Sequence, residues 1–219
     1  MTPSLLILCS PSGAGKTTLA RRLVTSRTDV GFSVSATTRP PRENERPGVD
    51  YYFYTWEEFC RRRDAGEFLE WAEYSGHLYG TLNAEVEREL GRGRHVLLDI
   101  EIQGAWQVRA SRRDAVAIFV LPPSAEVLIA RLRGRGSESP EEVQRRLARA
   151  DEELQAAPNF DHVVVNERLD RALEEIAEII DGGGVRAQRL PDVEARVRTL
   201  RRDLARYRQE NTNSGTRQV

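Results

Sequence analysis

A chain of 219 residues, 39% hydrophobic and 31% charged, has room for one α/β domain burying roughly 70% of its unfolded surface, plus an appendage. A net charge of −1 excludes an overall basic field that would recruit nucleic acid or an anionic membrane, so neither is an expected partner. The two cysteines, Cys9 and Cys60, lie in no metal-ligand or C-x-x-C spacing and read as reduced thiols of a cytoplasmic protein.

In chain order, Leu5–Cys9 is a continuous apolar run, the pattern of a parallel strand covered on both faces. It is far shorter than the roughly 18 residues a membrane-spanning helix needs. No basic residue precedes it, which does not suit a cleaved signal peptide, so the chain is expected to start near Met1. The stretch SPSGAGKTT follows, and a helix is predicted from about Lys16, with Leu19, Leu23 and Val24 on one face. The pattern G-x-x-x-x-G-K-[ST] turns successive backbone N–H groups onto one phosphate, with the positive end of a helix behind them. Gly13, Gly15, Lys16 and Thr17 are in place, but Ser10 stands where the pattern asks for its first glycine. Were that position to need a positive φ, serine would cost about 1–2 kcal/mol. Of 33 basic residues, 32 are Arg and one, Lys16, is Lys; a compact ammonium on a flexible stem follows a moving phosphate better than a planar guanidinium does.

From Phe32 to Gly80 the sequence is rich in aromatics and short alternating runs, with Pro40, Pro41 and Pro47 between them, and is predicted to be a β-rich insertion on the ligand edge of the sheet. Helical patterns at Leu82–Leu90, Ala125–Leu132 and about Pro140–Gln155 alternate with apolar strand runs at Val96–Ile100, Ala115–Leu121 and Val163–Val165. Such alternation implies a parallel sheet with right-handed crossovers, a three-layer α/β fold. After Ile180 the chain passes through Gly182-Gly183-Gly184 into a polar tail, read as a flexible joint. In the tail Leu190, Val193, Val197, Leu200, Leu204 and Tyr207 fall at a and d of a heptad. That seam suits either a helix packing back on its own domain or a homo-oligomer contact. Asn211–Val219 is expected to be disordered. His77, His95 and His162 share no ligand spacing and read as surface or capping residues.

Five stretches in order, SPSGAGKTT at 10–18, FSVSATTRPPR at 32–42, GVDYYF at 48–53, EFLEWAEYSGHLYGT at 67–81 and LLDIEIQG at 97–104, resemble the guanylate kinases. A sixth, RLRGRGSESPEEVQRRL at 131–147, is similar to that family's lid. The likeness covers about residues 3–182. It implies a P-loop NTPase core (1–34, 82–130 and 156–182), a GMP-binding subdomain (35–81) and a helical lid (131–155), together a domain of residues 1–184, with 185–219 as a helical or disordered tail. The implied reaction is ATP + GMP giving ADP + GDP, with dGMP as a further acceptor and Mg²⁺ as cofactor.

By the same resemblance ATP is held by Ser10, Pro11, Ser12, Gly13, Ala14, Gly15, Lys16, Thr17 and Thr18, with Arg135 and Asn166. GMP is held by Ser35, Arg39, Arg42, Tyr51, Glu70, Tyr79, Thr81 and Glu101. Lys16, Arg39, Arg135 and Arg146 carry catalysis, and Thr17 and Asp99 serve the metal. The residue types suit these roles. Guanine offers N1–H and N2–H₂ as donors beside the acceptor O6, so a carboxylate can take both donors while a hydroxyl donates to O6. Arg39 and Arg42 can present guanidinium forks to one phosphate, and an anionic phosphate nucleophile needs alignment and positive charge, with no general base. Arg133 reads more simply as a solvated helix residue. Two alternatives stand beside this reading: a non-catalytic guanylate-kinase-like protein-binding module, whose mark would be loss of the loop lysine and glycines, and a P-loop kinase for another phosphorylated acceptor, in which Glu70, Ser35 and the tyrosines would lack a purpose.

Overall fold

The computed structural model describes residues 2–134, 139–182 and 192–215. The elements run β1 (Leu5–Cys9), α1 (Lys16–Ser26), β2 (Val30–Phe32), β3 (Ser35–Thr37), β4 (Tyr51–Phe53), α2 (Trp56–Asp64), β5 (Phe68–Tyr74), β6 (His77–Leu82), α3 (Asn83–Gly91), β7 (His95–Asp99) and α4 (Ile102–Ser111). There follow β8 (Val116–Leu121), α5 (Ala125–Arg133), α6 (Pro140–Leu154), a 3-10 turn at Ala157–Asn159, β9 (His162–Val165), α7 (Leu169–Asp181) and α8 (Val193–Gly215). Two compact units result, Met1–Leu8 with Ala20–Ala117, and Cys9–Leu19 with Ile118–Val219.

In the first unit β1 and β2 both pair with β7 in parallel, Leu5 opposite Val96 and Val30 opposite His95. All five residues of β1 are buried, as a strand covered on both faces requires. A second sheet has the order β4-β3-β6-β5, with β3 and β4 parallel and the other pairs antiparallel. Its far face is sealed by α2, an element the β-rich reading of 32–80 missed. Thr55 caps that helix by accepting the Glu58 N–H at 3.1 Å. Phe59 of α2 stacks on Phe68 with centroids 4.4 Å apart and completes a small core with Ala36 and Leu78. Side chains alternate along a strand, so one face of this sheet enters that core and the other turns away from it.

In the second unit β8 and β9 are parallel, Ile118 opposite His162 and Leu121 opposite Val165. Parallel strands with intervening helices in both units establish the α/β class. Helix α8 carries the tail seam and packs against α5, α6 and the 3-10 turn of its own unit. Val193, Val197, Leu200 and Leu204 are buried, Arg201 pairs with both oxygens of Asp151 on α6, and the Arg133 guanidinium lies 5.8 Å from the Tyr207 ring. Arg133 therefore has a partner in the tail. Leu190 lies outside the described residues. The expected disorder from Asn211 is corrected as well, since α8 continues through Gly215, and 216–219 lie outside the described residues. His95 and His162 are buried, contrary to a surface reading, and His95 Nδ1 accepts the Ser4 N–H. Among the described residues no helix is long and apolar enough to cross a membrane.

Candidate active site

The loop of residues 10–18 belongs to the second unit. Gly13 and Gly15 have φ of +90° and +96°, the left-handed region that favours glycine. A Cβ at Gly13 would lie 2.8 Å from Leu132 Cδ2, and one at Gly15 would lie 2.5 Å from Asn166 Nδ2. Ser10 is different. Among the described non-glycine residues only Ser75 and Asp192 have positive φ, so the first position of this loop demands no glycine and serine carries no backbone strain there. Its hydroxyl donates to the Pro11 carbonyl at 3.0 Å, and the Ala14 N–H closes a turn on the same oxygen at 3.1 Å.

Two groups of side chains hold the loop. The Ala14 carbonyl accepts Asn166 Nδ2 at 2.8 Å and Arg131 Nη1 at 3.1 Å, while Arg131 Nη2 donates to the Asn166 carbonyl at 3.3 Å. From α6, Arg146 Nη2 donates to Ser12 Oγ at 3.1 Å, and Glu153 Oε2 accepts the Ser12 N–H at 2.9 Å. Neither Arg131 nor Glu153 was expected at this loop, from which both are remote in the chain. Lys16 opens α1 half-buried, with Thr17 and Thr18 exposed beside it. The first turn of α1 holds no acidic residue, so the partial positive charge of its N-terminus is open to an anion. Arg135 lies outside the described residues.

The first unit carries a second cluster. Register aligns Tyr51 with Ser35, Ser35 with Thr81, and Thr81 with Glu70 across β4, β3, β6 and β5. These four residues share the face opposite the Phe59 core. Thr81 Oγ1 donates to Glu70 Oε1 at 2.6 Å, and both residues are buried. Gly104 on α4 is needed for this, because a Cβ there would overlap Glu70 Oε2. Gln107, one turn on, donates to the Trp71 carbonyl at 2.7 Å and accepts the Trp71 N–H at 3.1 Å, which fixes the edge strand next to Glu70.

Tyr79 aligns with Thr37 on that same face, and its ring meets Tyr51 edge-on at 6.2 Å. Burial, then the nearby Tyr79 and Asp99, push the Tyr51 hydroxyl pKa up, so it stays a proton donor at neutral pH. Arg39 lies 5.5 Å from the Tyr51 ring and its Nη2 reaches both oxygens of Glu45 at 2.8 Å. Burial draws the Arg39 pKa down, but its hydrogen bonds to Glu45 and Tyr79 outweigh that and raise it. Glu45 Oε2 also accepts the Arg42 N–H at 2.9 Å. Without ligand, Arg39 is thus gripped by a carboxylate that sequence reasoning missed, and the Arg42 side chain is exposed. Glu101, half-buried, occupies the N-cap position of α4, and Asp99, half-buried, ends β7.

No group of three or more His, Cys, Asp or Glu among the described residues could hold a metal. Thr17 offers a single hydroxyl beside the loop, which fits Mg²⁺, an ion held mostly by substrate phosphates and water with one or two protein oxygens.

A family model described as guanylate kinase matches residues 2–182. The chain is 51% identical over 170 residues to a guanylate kinase of Parasynechococcus marenigrum (strain WH8102), covering 78% of this chain and 93% of that one. It is 44% identical over 185 residues to a guanylate kinase of Dechloromonas aromatica (strain RCB), covering 84% and 92%. Among solved structures, guanylate kinase from Anaplasma phagocytophilum superposes with a TM-score of 0.68 at 32% identity, covering 94% of this chain and 95% of that one.

Proposed function

The chain belongs to the guanylate kinase family, is an ATP:GMP phosphotransferase of purine nucleotide metabolism, and we propose the following division of that work among its residues. The loop from Ser10 to Thr18 takes the ATP phosphates, with Lys16 on the transferring group and Thr17 toward Mg²⁺. When bound, Mg²⁺ supplies charge neutralisation at the ATP phosphates. The sheet face bearing Ser35, Glu70 and Thr81 takes guanine, with Glu101 as a further acceptor. Arg39, Arg42, Tyr51 and Tyr79 take the acceptor phosphate, and Arg135 and Arg146 the transferring phosphoryl group.

The observation that carries this reading is the buried Glu70 carboxylate, held by Thr81 and seated against Gly104. Guanine N1–H and N2–H₂ would satisfy such a group, whereas adenine brings an unprotonated N1, and a buried acceptor left unpaired costs about 1–3 kcal/mol, more if ionised. The phosphate of GMP is already anionic, so the obstacle is repulsion from the triphosphate, and fixed cations with alignment overcome it. Neither alternative is favoured: Lys16, Gly13 and Gly15 are all retained, and an acceptor without a purine would leave Glu70 and Ser35 unused. We further propose the 35–81 segment as the acceptor subdomain, residues 131–155 as the lid and the cytoplasm as the place of action. The test is turnover with ATP and Mg²⁺ on GMP, AMP, CMP and UMP by coupled ADP release. GMP should react at least a hundredfold faster, about 2.7 kcal/mol in the barrier; equal rates on the four would end the guanine reading.

A further inference from the structure

We propose that Glu153 is a positioning residue for ATP, fixing where the phosphate-binding run of backbone N–H groups begins; this rests on the assignment of residues 10–18 as the ATP loop. The charge is the reason to ask. A buried carboxylate touching a loop meant for a polyanion opposes binding by its field, so its contribution must lie in geometry. Glu153 Oε2 accepts the Ser12 N–H at 2.9 Å, and Oε1 accepts Arg149 Nε at 2.8 Å. Arg146 donates to the hydroxyl of the same serine at 3.1 Å. Arg149 therefore offsets the carboxylate, and α6 holds Ser12 by both its backbone and its side chain.

The Ser12 N–H is committed to this bond, so the phosphates meet N–H groups from Gly13 onward. Gly13 is the flexible joint, with φ +90°. On its other side Ala14 is tied by its carbonyl to Asn166 and Arg131. A joint with both neighbours anchored has one conformation. Without the Ser12 anchor, Gly13 would regain its conformational freedom, and ATP would have to order the loop on binding.

The test separates geometry from charge. Glu153→Ala should raise the KM for ATP about tenfold, the loss of one charge-assisted hydrogen bond, leave the KM for GMP within twofold, and speed amide exchange at Ser12. Glu153→Gln keeps reach without charge and should recover most of the loss. Glu153→Asp keeps charge without reach and should resemble Glu153→Ala, and these two variants decide the matter if the alanine variant does not fold. An ATP KM nearer wild type for Asp than for Gln would overturn the proposal, as would a change confined to GMP. Should Glu153→Ala be silent while Lys16→Ala abolishes turnover, the ATP loop stands and this inference falls; should both be silent, the loop assignment falls with it.

Discussion

Thr81 gives its hydroxyl proton to Glu70 across 2.6 Å. A hydroxyl has a single proton, so Thr81 serves as a clamp on the carboxylate, and on the proposed reading the donor to guanine O6 is Ser35, one strand over in the same register. Glu70→Gln should lower kcat/KM for GMP by about a hundredfold, the loss of charge-assisted bonds to N1–H and N2–H₂. It should also shrink the preference over AMP, because an amide N–H can donate to adenine N1. Ser35→Ala should raise the KM for GMP and leave that for ATP unchanged. Steady-state kinetics on GMP and AMP checks both variants, and an intact preference in Glu70→Gln would remove Glu70 from base reading.

Glu45 is expected to titrate low. Its burial raises the carboxyl pKa, but the Arg42 backbone N–H and the Arg39 guanidinium outweigh burial and hold it below the ordinary 4.5. Because the folded value lies below the unfolded one, Glu45 stabilises the fold above about pH 4.5, and the contribution is lost as pH falls through the folded value. Carboxyl NMR titration should show the depression, and Arg39→Ala should move the pKa upward. An unchanged Glu45 titration in that variant would show that the pair is not coupled in solution.

The loop glycines predict unequal tolerance. Gly15→Ala combines φ +96° with a Cβ 2.5 Å from Asn166 Nδ2 and should abolish most ATP turnover. Ser10→Gly changes a residue without positive φ and should keep kcat/KM for ATP within about tenfold, a barrier change near 1.4 kcal/mol. Parallel kinetics on the two variants checks this order, and a strongly inactive Ser10→Gly would reverse it.

Leu204 of α8 is fully buried within its own chain. Leu204→Ala should cost about 2–5 kcal/mol and lower Tm by roughly 5–15 °C in a chain of this size. Calorimetry at several protein concentrations is the check. A helix that packs on its own unit gives a Tm independent of concentration, whereas a seam between chains would make it rise with concentration.

How far the sequence could be read depended on how local each signal was. The glycine-bearing loop and the parallel strands were legible because apolar runs and glycine spacing act over a few residues, whereas the grouping of Ser35, Glu70 and Thr81 came only from family resemblance. Helix α2 was legible in principle, since Thr55-Trp56-Glu57-Glu58 is a capping-box pattern, but the aromatic residues around it drew attention to strands. Glu153 and Arg131 were not legible. Each meets the loop across more than a hundred residues of chain, and in a sequence this rich in Arg and Glu no local feature marks which of them turns inward. Glu45 failed for another reason: an acidic residue close to Arg39 and Arg42 reads as solvated charge until the fold half-buries the pair.

The sole lysine of the chain opens α1 at the nucleotide loop. An amine-acylating reagent therefore has one side-chain target, and a lysine-directed protease has one cleavage point, both at the loop proposed for ATP. Occupancy of that loop can be followed by the mass of the Lys16-containing peptide: bound nucleotide should shield Lys16, and the labelled fraction reports the empty protein with no engineered probe.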